Sequence, residues 1–278
     1  MALSEPKGKV AVITGGASGV GYALAERLKA EGMQLVLADY ESEALERAAA
    51  ALGAFAVSTD VRSAESVRAL AARAVERFGA VHLVCNNAGV SVMAAASRLD
   101  LQDWRWTLDV NLWGVIHGVD AFLPLLKANP DGGHFLNTAS LSGLYPMRAQ
   151  AAYAASKFAV VGLSEALAME LEAEGGKVGV TVLCPGPVRT NISSSARNRG
   201  PAYPARSREG LGPDIHDQAF RGQLPESVWK TAREVADAAV DGVLAGEFWV
   251  ITHPQLMAPF EARCREIMAS SARAEQAR

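Results

Sequence analysis

Seven apolar runs of strand length divide the chain of 278 residues, and amphipathic stretches that favour helices lie between them. The runs lack the alternation of a half-exposed strand, which indicates strands buried on both faces. They cover residues 9–16, 34–40, 54–60, 81–89, 134–140, 178–186 and 247–254, and the main helical stretches are 20–31, 41–52, 63–78, 103–128, 151–174 and 231–245. We therefore predict an α/β fold with a doubly wound, parallel seven-stranded sheet and helices on both of its faces.

No break in composition separates a second domain, so we expect residues 1–278 to form one domain. Two segments of it differ from the repeating pattern. Residues 190–227 are rich in Gly, Pro, Ser and Arg, and a loop of this length is typical of a functional lid or of a disordered segment. Residues 255–278 follow the last run and are predicted to form a helical tail.

Charge and cysteine content argue against several classes of function. The formal net charge is -3 and the 27 Lys and Arg residues are scattered, so we expect neither nucleic acid nor a membrane surface as a partner. The first apolar run ends in glycines too soon for a secretory signal or a membrane span, which predicts a cytoplasmic protein. Cys85, Cys184 and Cys264 are far apart in apolar surroundings, which indicates reduced thiols and no metal site.

The first run leads directly into a glycine-rich turn and then a helical stretch. Residues 14–21 read T-G-x-x-x-G-x-G, a pattern whose glycines let the backbone turn tightly and approach a pyrophosphate. The helix that begins near Val20 offers free N–H groups and the positive end of its dipole. A simple packing turn is the alternative, because Leu24 stands where the commoner G-x-G-x-x-G pattern has its third glycine.

Asp39 ends the second run, where an acidic residue accepts hydrogen bonds from the ribose hydroxyls of a bound dinucleotide. At ~4 Å, repulsion between this carboxylate and a 2′-phosphate would cost about 1 to 4 kcal/mol, which favours NAD over NADP. Tyr40, Ala17 and Ser18 supply no basic group for such a phosphate. An exposed strand-end acid without a ligand is the alternative.

Asp60 ends the third run in the same manner, and ligands of doubly wound sheets bind at the carboxyl ends of the strands. We expect the carboxylate of Asp60 to meet the adenine amino group of the dinucleotide. Val61 is then expected beside the adenine ring.

Tyr153 and Lys157 are four residues apart in an alanine-rich helical stretch, so their side chains leave the same face one turn apart. A cation at ~4 Å stabilises a phenolate by about 1 to 4 kcal/mol, enough to lower a phenol pKa of ~10 by roughly one to three units. The pair is therefore a candidate proton-transfer device. Alone, such a pair more often consists of a packed ring and a solvated amine.

Six ordered motifs over about residues 7–190 resemble those of the short-chain dehydrogenase/reductase family. They are TGGASGVG at 14–21, NNAG at 86–89, the asparagine of DVNLWG at Asn111, the serine of NTASLSG at Ser140, the Tyr153 and Lys157 pair, and PGPVRT at 185–190. Ser140 precedes Tyr153 by 13 positions, as in the family. The resemblance implies an enzyme that moves a hydride between NAD and a secondary alcohol or its ketone.

The resemblance also implies roles for individual residues. Tyr153 is expected to be the general acid/base, Ser140 to donate to the substrate oxygen, and Lys157 to hold the nicotinamide ribose. Asn111 is expected to hold a water that links Lys157 to solvent. The residues expected to bind the cofactor are Gly15, Ser18, Gly19, Val20, Gly21, Asp39, Tyr40, Asp60, Val61, Asn87, Ala88, Gly89, Tyr153, Lys157, Pro185, Gly186, Val188 and Thr190.

The substrate cannot be identified from motifs, but candidates for its surroundings are present. Leu141, Leu144, Met147 and Trp113 are candidates for an apolar pocket wall. In the predicted lid, Tyr203 and Phe220 are expected near the substrate. An anionic substrate is one explanation for Arg189, which directly precedes the lid, and for the lid arginines Arg197, Arg199, Arg206, Arg208 and Arg221. Solvation of a flexible lid is the other explanation.

Two further functions stay open at this point. One is an NADPH-dependent carbonyl reductase of the same fold, against which Asp39 argues. The other is a dinucleotide-binding sensor without turnover, against which the combination of Asn111, Ser140, Tyr153 and Lys157 argues. The family resemblance also implies a homodimer or homotetramer built through the helices at 103–128 and 151–174.

Overall fold

The computed structural model describes residue 3, residues 5–204 and residues 224–276. Phe220, Arg206, Arg208 and Arg221 lie outside the described residues, so the expectations for them are not addressed by the structure. No helix within the described ranges is both long enough and apolar enough to cross a bilayer.

The predicted seven-stranded parallel sheet is confirmed. Its strands are β1 (Val10–Thr14), β2 (Gln34–Asp39), β3 (Phe55–Ser58), β4 (Leu83–Asn86), β5 (Gly133–Thr138), β6 (Val178–Cys184) and β9 (Trp249–Ile251). Their order is β3-β2-β1-β4-β5-β6-β9, and all neighbouring pairs are parallel. Because the chain runs outward from β1 in one direction and from β4 in the other, a crevice opens at the carboxyl ends of these two strands.

Helices cover both faces of the sheet, as predicted. They are α1 (Gly19–Ala30), α2 (Ser42–Leu52), α3 (Ala64–Phe78), α4 (Leu101–Leu108), α5 (Gly114–Ala128), α6 (Ala151–Ala173), α7 (Ala232–Ala245) and α8 (Ala258–Gln276). Helices α1, α2 and α7 pack with Ile13 and Leu37 in one apolar cluster. Helices α3 to α6 pack with Val12 and Val36 in another, because successive residues of a strand point to opposite faces.

The predicted helix at 103–128 is wrong in one respect, since it is two α-helices joined by a π-helical turn. The turn covers Asp109–Trp113, and the N–H of Gly114 bonds to the carbonyl of Asp109. The fully buried Asn111 lies in the middle of this turn. A π turn inserts one residue into a helix, and such turns are frequent at functional sites.

The chain after β6 forms structure that the sequence did not predict. A two-stranded parallel ladder joins β7 (Val188–Arg189) to β8 (Lys230–Thr231). Between them, the described part of the predicted lid begins with a 3-10 helix at Asn191–Asn198. After β9, the predicted helical tail is present as α8.

Candidate active site

The glycine-rich turn between β1 and α1 has the close backbone approach that a pyrophosphate site requires. Gly19 has a φ of 55°, in the left-handed region that favours glycine. A Cβ on Gly21 would lie 2.1 Å from the carbonyl oxygen of Gly15, so no side chain fits there. The Asn87 amide donates to the carbonyl of Thr14 at 3.0 Å and ties the end of β4 to this turn. The turn therefore fits a dinucleotide phosphate at the start of α1.

Asp39 lies at the end of β2 and faces the same groove. One carboxylate oxygen accepts the N–H of Ala17 at 3.0 Å, and the other accepts the N–H of Glu41 at 3.0 Å. Burial raises the pKa of Asp39, and these backbone donors offset the rise only in part. The carboxylate is thus oriented by the backbone on both sides, at the position where ribose hydroxyls are expected.

Two arginines lie near this end of the groove, contrary to the expectation that no basic group is present. Arg62 bonds to both carboxylate oxygens of Asp60, at 2.7 Å and 2.6 Å. Burial raises the pKa of Asp60, but the hydrogen bonds and charge of Arg62 outweigh burial and hold the pKa below its usual value. Arg197 is paired with Glu41 at 2.8 Å. Both arginines are therefore neutralised by carboxylates of this chain.

Arg62 also lies between two aromatic rings. Its guanidinium carbon is 5.1 Å from the ring centroid of Tyr40 and 5.2 Å from that of Tyr203. The hydroxyl of Tyr203 donates to Asp109 at 2.7 Å. Tyr203 was expected near the substrate, and this prediction is wrong because these contacts hold it at the adenosine end of the groove.

The described beginning of the lid is fastened to the body of the protein along residues 191–203. The buried Arg199 pairs with the buried Asp103 of α4 at 2.5 Å. The hydroxyl of Ser195 accepts the N–H of Ser91 at 3.0 Å. With the Arg197 contact, these bonds hold the segment across one side of the groove, which has a volume of about 230 Å³.

Tyr153 and Lys157 leave the first turns of α6 on the same face, as predicted. The Lys157 ammonium lies 5.6 Å from the Tyr153 ring centroid and donates to the carbonyl of Thr138 at 2.7 Å. The hydroxyl of Ser140 donates to the carbonyl of Pro185 at 3.3 Å and accepts the N–H of Ser142 at 3.1 Å. The Ser140 hydroxyl also lies near enough to Tyr153 to lower the pKa of the phenol. Ser140, Tyr153 and Lys157, three of the four predicted catalytic side chains, thus lie close together.

The expected lowering of the Tyr153 pKa by Lys157 is not what the structure gives. Burial raises the pKa of Tyr153 to about 12, and the nearby Ser140 hydroxyl opposes this rise only in part. Burial also lowers the pKa of Lys157 to about 8. Desolvation is the largest influence on the pKa of each group, because burial disfavours the charged form of both side chains.

Asn111 is held rigidly behind this group. Its side-chain amide donates to the carbonyl of Val90 at 2.9 Å and to the hydroxyl of Ser156 at 3.1 Å. Its carbonyl oxygen accepts the N–H of Val90 at 2.8 Å. Both amide hydrogens are therefore used, and one lone pair of the carbonyl oxygen is left for a water. A Cβ on Gly89 would lie 3.5 Å from this oxygen and 3.8 Å from the Lys157 ammonium.

Nearly all the predicted cofactor residues line the groove. The predicted residues in its wall are Gly15, Ser18, Gly19, Val20, Asp39, Tyr40, Asp60, Val61, Asn87, Ala88, Gly89, Ser140, Tyr153, Lys157, Pro185, Gly186, Val188 and Thr190. Gly21 and Asn111 support this wall from behind. The sequence missed Arg62 and Trp106, because no motif marks them, and it considered Arg197 only as a contact for the substrate. These residues fit a dinucleotide. The glycine turn allows the phosphates to approach the backbone closely, and Asp39 offers a carboxylate where the adenosine ribose is expected.

A second cavity of about 790 Å³ adjoins the groove. Its walls include Ser140, Tyr153, Gly186, Val188 and Thr190, which both spaces share, as they do Ile192. The remaining described lining is mostly apolar and consists of Ser91, Met93, Leu141, Ser142, Tyr145, Pro146, Met147, Arg148, Gln150, Pro187, Ser193, Leu224, Trp229, Gln255, Leu256 and Pro259. The last three show that the C-terminal tail forms part of the wall.

Of the four predicted wall residues, two line this cavity and two do not. Leu141 and Met147 are in the lining. Leu144 instead packs in the core beneath it. Trp113 is 49% exposed and lies against His117, with the ring centroids 5.7 Å apart. The π turn carries Trp113 outward, so this part of the prediction is wrong.

The remaining candidate groups have structural contacts. Cys184 is fully buried, and burial raises the pKa of its thiol to about 12, which leaves the thiol protonated. The fully buried His253 accepts the N–H of Gly186 on Nδ1 at 2.9 Å. Among the described residues, no group of three or more His, Cys, Asp or Glu side chains is arranged to hold a metal ion.

Comparison with known proteins gives consistent matches. The sequence profile of a family described as short chain dehydrogenase matches residues 9–200. A protein of Mycobacterium tuberculosis named as an oxidoreductase, SadH, is 42% identical over 199 residues, which cover 70% of this chain and 72% of the relative. The 3beta-hydroxysteroid dehydrogenase 2 of Eggerthella lenta is 33% identical over 246 residues, covering 86% and 92% of the two chains.

The fold is also that of a solved relative. The crystal structure of a short chain dehydrogenase/reductase from Burkholderia phymatum, in complex with NAD, superposes with a TM-score of 0.87. It is 39% identical to this chain and the match covers 96% of both chains. Because the profile and these relatives each span well over half of the sequence, this protein belongs to the short-chain dehydrogenase/reductase family of oxidoreductases.

Proposed function

We propose that this protein is an NAD-dependent dehydrogenase that interconverts a secondary alcohol and its ketone, with Tyr153 as general acid/base. The observation that carries the proposal is that Ser140 and Tyr153 line both the dinucleotide groove and the adjoining cavity. A substrate in the cavity and a cofactor in the groove would meet at these two side chains. Proximity of this kind accounts for much of the rate enhancement in two-substrate enzymes.

Proton transfer is the part of the chemistry that the chain itself supplies. When bound, oxidised nicotinamide accepts the hydride and brings a positive charge to the site. The Tyr153 phenol, with a pKa of about 12, is protonated at neutral pH and is suited to donate its proton to a ketone oxygen. Ser140 supplies a second donor to that oxygen as it gains negative charge.

Lys157 and Asn111 have supporting roles in this proposal. The pKa of Lys157 is about 8, so the ammonium is mostly charged at neutral pH and favours loss of the Tyr153 proton during alcohol oxidation. It is also the candidate for holding the nicotinamide ribose. The free lone pair of the Asn111 carbonyl oxygen is the candidate position for a water between Lys157 and solvent.

Selectivity for NAD over NADP is supported by charge at the adenosine end. Asp39 and Glu41 would both repel a 2′-phosphate. Arg62 and Arg197 are paired with Asp60 and Glu41, so neither is available to such a phosphate. The solved relative from Burkholderia phymatum was crystallised with NAD. An NADPH-dependent reductase is the second candidate, and it would require Arg197 to exchange Glu41 for the phosphate.

The arrangement of the site also favours an enzyme over a non-catalytic sensor. A sensor would have no use for Ser140 and Tyr153 at the junction of two cavities, which favours an enzyme. We also propose a homodimer or homotetramer built through α5 and α6. Met169 of α6 is 71% exposed and Trp113, in the π turn that precedes α5, is 49% exposed, so both offer apolar surface to a partner subunit.

The test of the cofactor proposal is a fluorescence titration of the protein with NADH and with NADPH, repeated with Asp39→Ala. We expect NADH to bind at least tenfold more tightly, and the preference to collapse in the variant. Equal binding, or tighter NADPH, would move the assignment to the NADPH reductase. Binding of neither would remove the basis for an enzyme that uses nicotinamide.

A further inference from the structure

The cavity beside Ser140 and Tyr153 is too large and too apolar for a small alcohol. Its volume of about 790 Å³ lies in the upper part of the range of roughly 300 to 1,000 Å³ that is typical of sites for drug-sized ligands. A small substrate would leave most of this apolar wall in contact with water. Among the described lining residues, Arg148 is the single charged side chain apart from the shared catalytic region.

We propose that the substrate is a bulky, mostly apolar secondary alcohol, or its ketone, that carries a carboxylate, and that Arg148 binds this carboxylate. The proposal rests on the function proposed above, because it concerns the same site. It assigns a substrate class and a specificity-determining residue to that site.

Arg148 is available for this role. Its side chain is exposed, and within residues 5–204 and 224–276 it takes part in no hydrogen bond or ion pair. A guanidinium group offers two parallel N–H donors that match the two oxygens of a carboxylate. Because Arg148 is exposed to solvent, binding there avoids the cost of burying an ion pair.

The backbone holds Arg148 in a defined position. Ala149, the next residue, has a φ of 59°, which is unfavourable for a residue other than glycine. Its carbonyl accepts the N–H of Ala94 at 3.0 Å, and the side chain of Gln150 accepts the hydroxyl of Ser142 at 2.7 Å. Contacts on both sides of the peptide therefore maintain the strained conformation.

The arginines of the described lid segment are less suited to the role. Arg189 is bonded to Glu226 and to the carbonyl of Trp229. Arg197 and Arg199 are paired with Glu41 and Asp103. Each of these charges is compensated within the chain, whereas Arg148 is an uncompensated cation among the described residues that line the cavity.

The two polar groups of the cavity differ in exposure and position. Ser140 is 7% exposed and, with Tyr153, lines the wall shared with the groove, whereas Arg148 is exposed and lines the cavity alone. Leu141, Tyr145 and Met147 contribute to the apolar wall of the same cavity. A matching substrate has its reacting oxygen at one end, an apolar body, and an anionic group at the other end.

The test compares two compounds and four proteins. The compounds are a 3-hydroxysteroid whose side chain ends in a carboxylate, and the methyl ester of the same steroid. The proteins, all assayed with NAD, are wild type, Arg148→Gln, Arg148→Lys and Arg47→Gln. Arg47 is an exposed arginine on α2 and is the matched control. The readout is the ratio of kcat/KM for the acid to kcat/KM for the ester, in which general effects of a substitution cancel.

We expect Arg148→Gln to lower this ratio by about fivefold, the magnitude of an exposed but well-oriented ion pair. Arg148→Lys should give a ratio between those of wild type and Arg148→Gln, because lysine keeps the positive charge but lacks the two parallel N–H donors of the guanidinium. Arg47→Gln should leave the ratio at the wild-type value. The preference for the acid should also shrink as NaCl is raised to about 0.5 M.

An unchanged ratio in Arg148→Gln, with both compounds oxidised, would overturn the inference and leave the proposed function intact. If neither compound is oxidised, calorimetric titration of the corresponding keto acid and keto ester into protein loaded with NADH separates the two proposals. Tighter binding of the acid that depends on Arg148 would support the inference while the proposed function fails. Equal binding, or none, would overturn the inference.

Discussion

Nδ1 of His253 accepts the N–H of Gly186 at 2.9 Å, while Nε2 lies 3.2 Å from the carbonyl of Pro187. The geometry requires a neutral ring with its proton on Nε2, since an acceptor at Nδ1 cannot carry one. A Cβ on Gly186 would lie 2.7 Å from the imidazole, so ring and loop are in close contact. His253 thereby fixes the stretch 185–188, which lines both the groove and the cavity.

This contact predicts a loss of stability in mild acid. Burial lowers the pKa of His253 below its usual value of 6.5, and the charge of Lys230 adds to this effect. A lowered pKa in the folded state means that the stabilisation is complete above pH ~6.5 and is lost as pH falls through the folded-state pKa. We expect Tm to fall between about pH 6.5 and 5, and to fall less steeply in His253→Asn.

His82 provides the control for this measurement. Its pKa is also lowered, first by burial and then by Lys9, so it contributes to the same acid slope. The single variant His82→Asn should also reduce the fall of Tm with falling pH. The double variant His82→Asn/His253→Asn should reduce it more than either single variant. A Tm profile of His253→Asn that runs parallel to wild type would contradict the role given to His253.

Tyr153→Phe tests the proton-transfer assignment. Removal of the hydroxyl deletes the proton donor but retains the ring, so we expect kcat to fall by about 10² to 10⁴. NADH binding should stay within about twofold of wild type, because the fall is assigned to the chemical step. Ser140→Ala should lower kcat by about 10² to 10³, because it removes a hydrogen-bond donor to the negative charge that develops on the substrate oxygen. Turnover by Tyr153→Phe at the wild-type rate would exclude Tyr153 as the general acid/base.

Glu41 is predicted to act on cofactor selectivity through Arg197. In Glu41→Gln, one negative charge near the adenosine ribose is removed and Arg197 is released from its partner. We expect the Kd of NADPH, measured by fluorescence, to fall by about tenfold. The double variant Glu41→Gln/Arg197→Met should lose most of this gain. If the double variant binds NADPH as tightly as Glu41→Gln, Arg197 has no part in the effect.

The buried pair of Arg199 and Asp103 is predicted to fasten the lid segment to α4. Arg199→Met removes one cation from the buried Asp103 carboxylate, and loss of one partner of a buried pair costs about 3 to 5 kcal/mol. Thermal unfolding should show a clear fall in Tm. The double variant Asp103→Asn/Arg199→Met should recover part of the loss, because no buried charge remains. Equal Tm values in the two variants would argue against electrostatic coupling of the pair.

The sheet was predictable because a buried parallel strand leaves a direct mark in sequence, a short apolar run that ends in glycine or a polar residue. The glycine turn and the Tyr153 and Lys157 spacing were predictable for a similar reason, since each is local along the chain. The π turn at Asn111 was not, because its sequence continues the helical pattern and the extra residue is accommodated only by packing around Val90 and Ser156.

Contacts between distant segments account for the other errors. Arg62 and Tyr203 are 141 positions apart, and nothing near either residue indicates that they meet. Whether an arginine is available to a ligand depends on such contacts: Arg197 and Arg199 have carboxylate partners far along the chain, whereas Arg148 has none among the described residues. Sequence identifies the charge, and the fold decides whether it is already compensated.

The hydroxyl of Tyr145 donates to the carbonyl of Leu256 at 2.7 Å, in the wall of the cavity that Leu256 and Pro259 help to enclose. Part of the pocket wall therefore comes from a segment far along the chain from the catalytic motifs, and this segment can diverge at a different rate from them. Relatives with the same Ser140, Tyr153 and Lys157 but another C-terminal segment should accept other substrates. Exchange of residues 252–276 between two family members is accordingly a direct route to altered selectivity with the chemistry preserved.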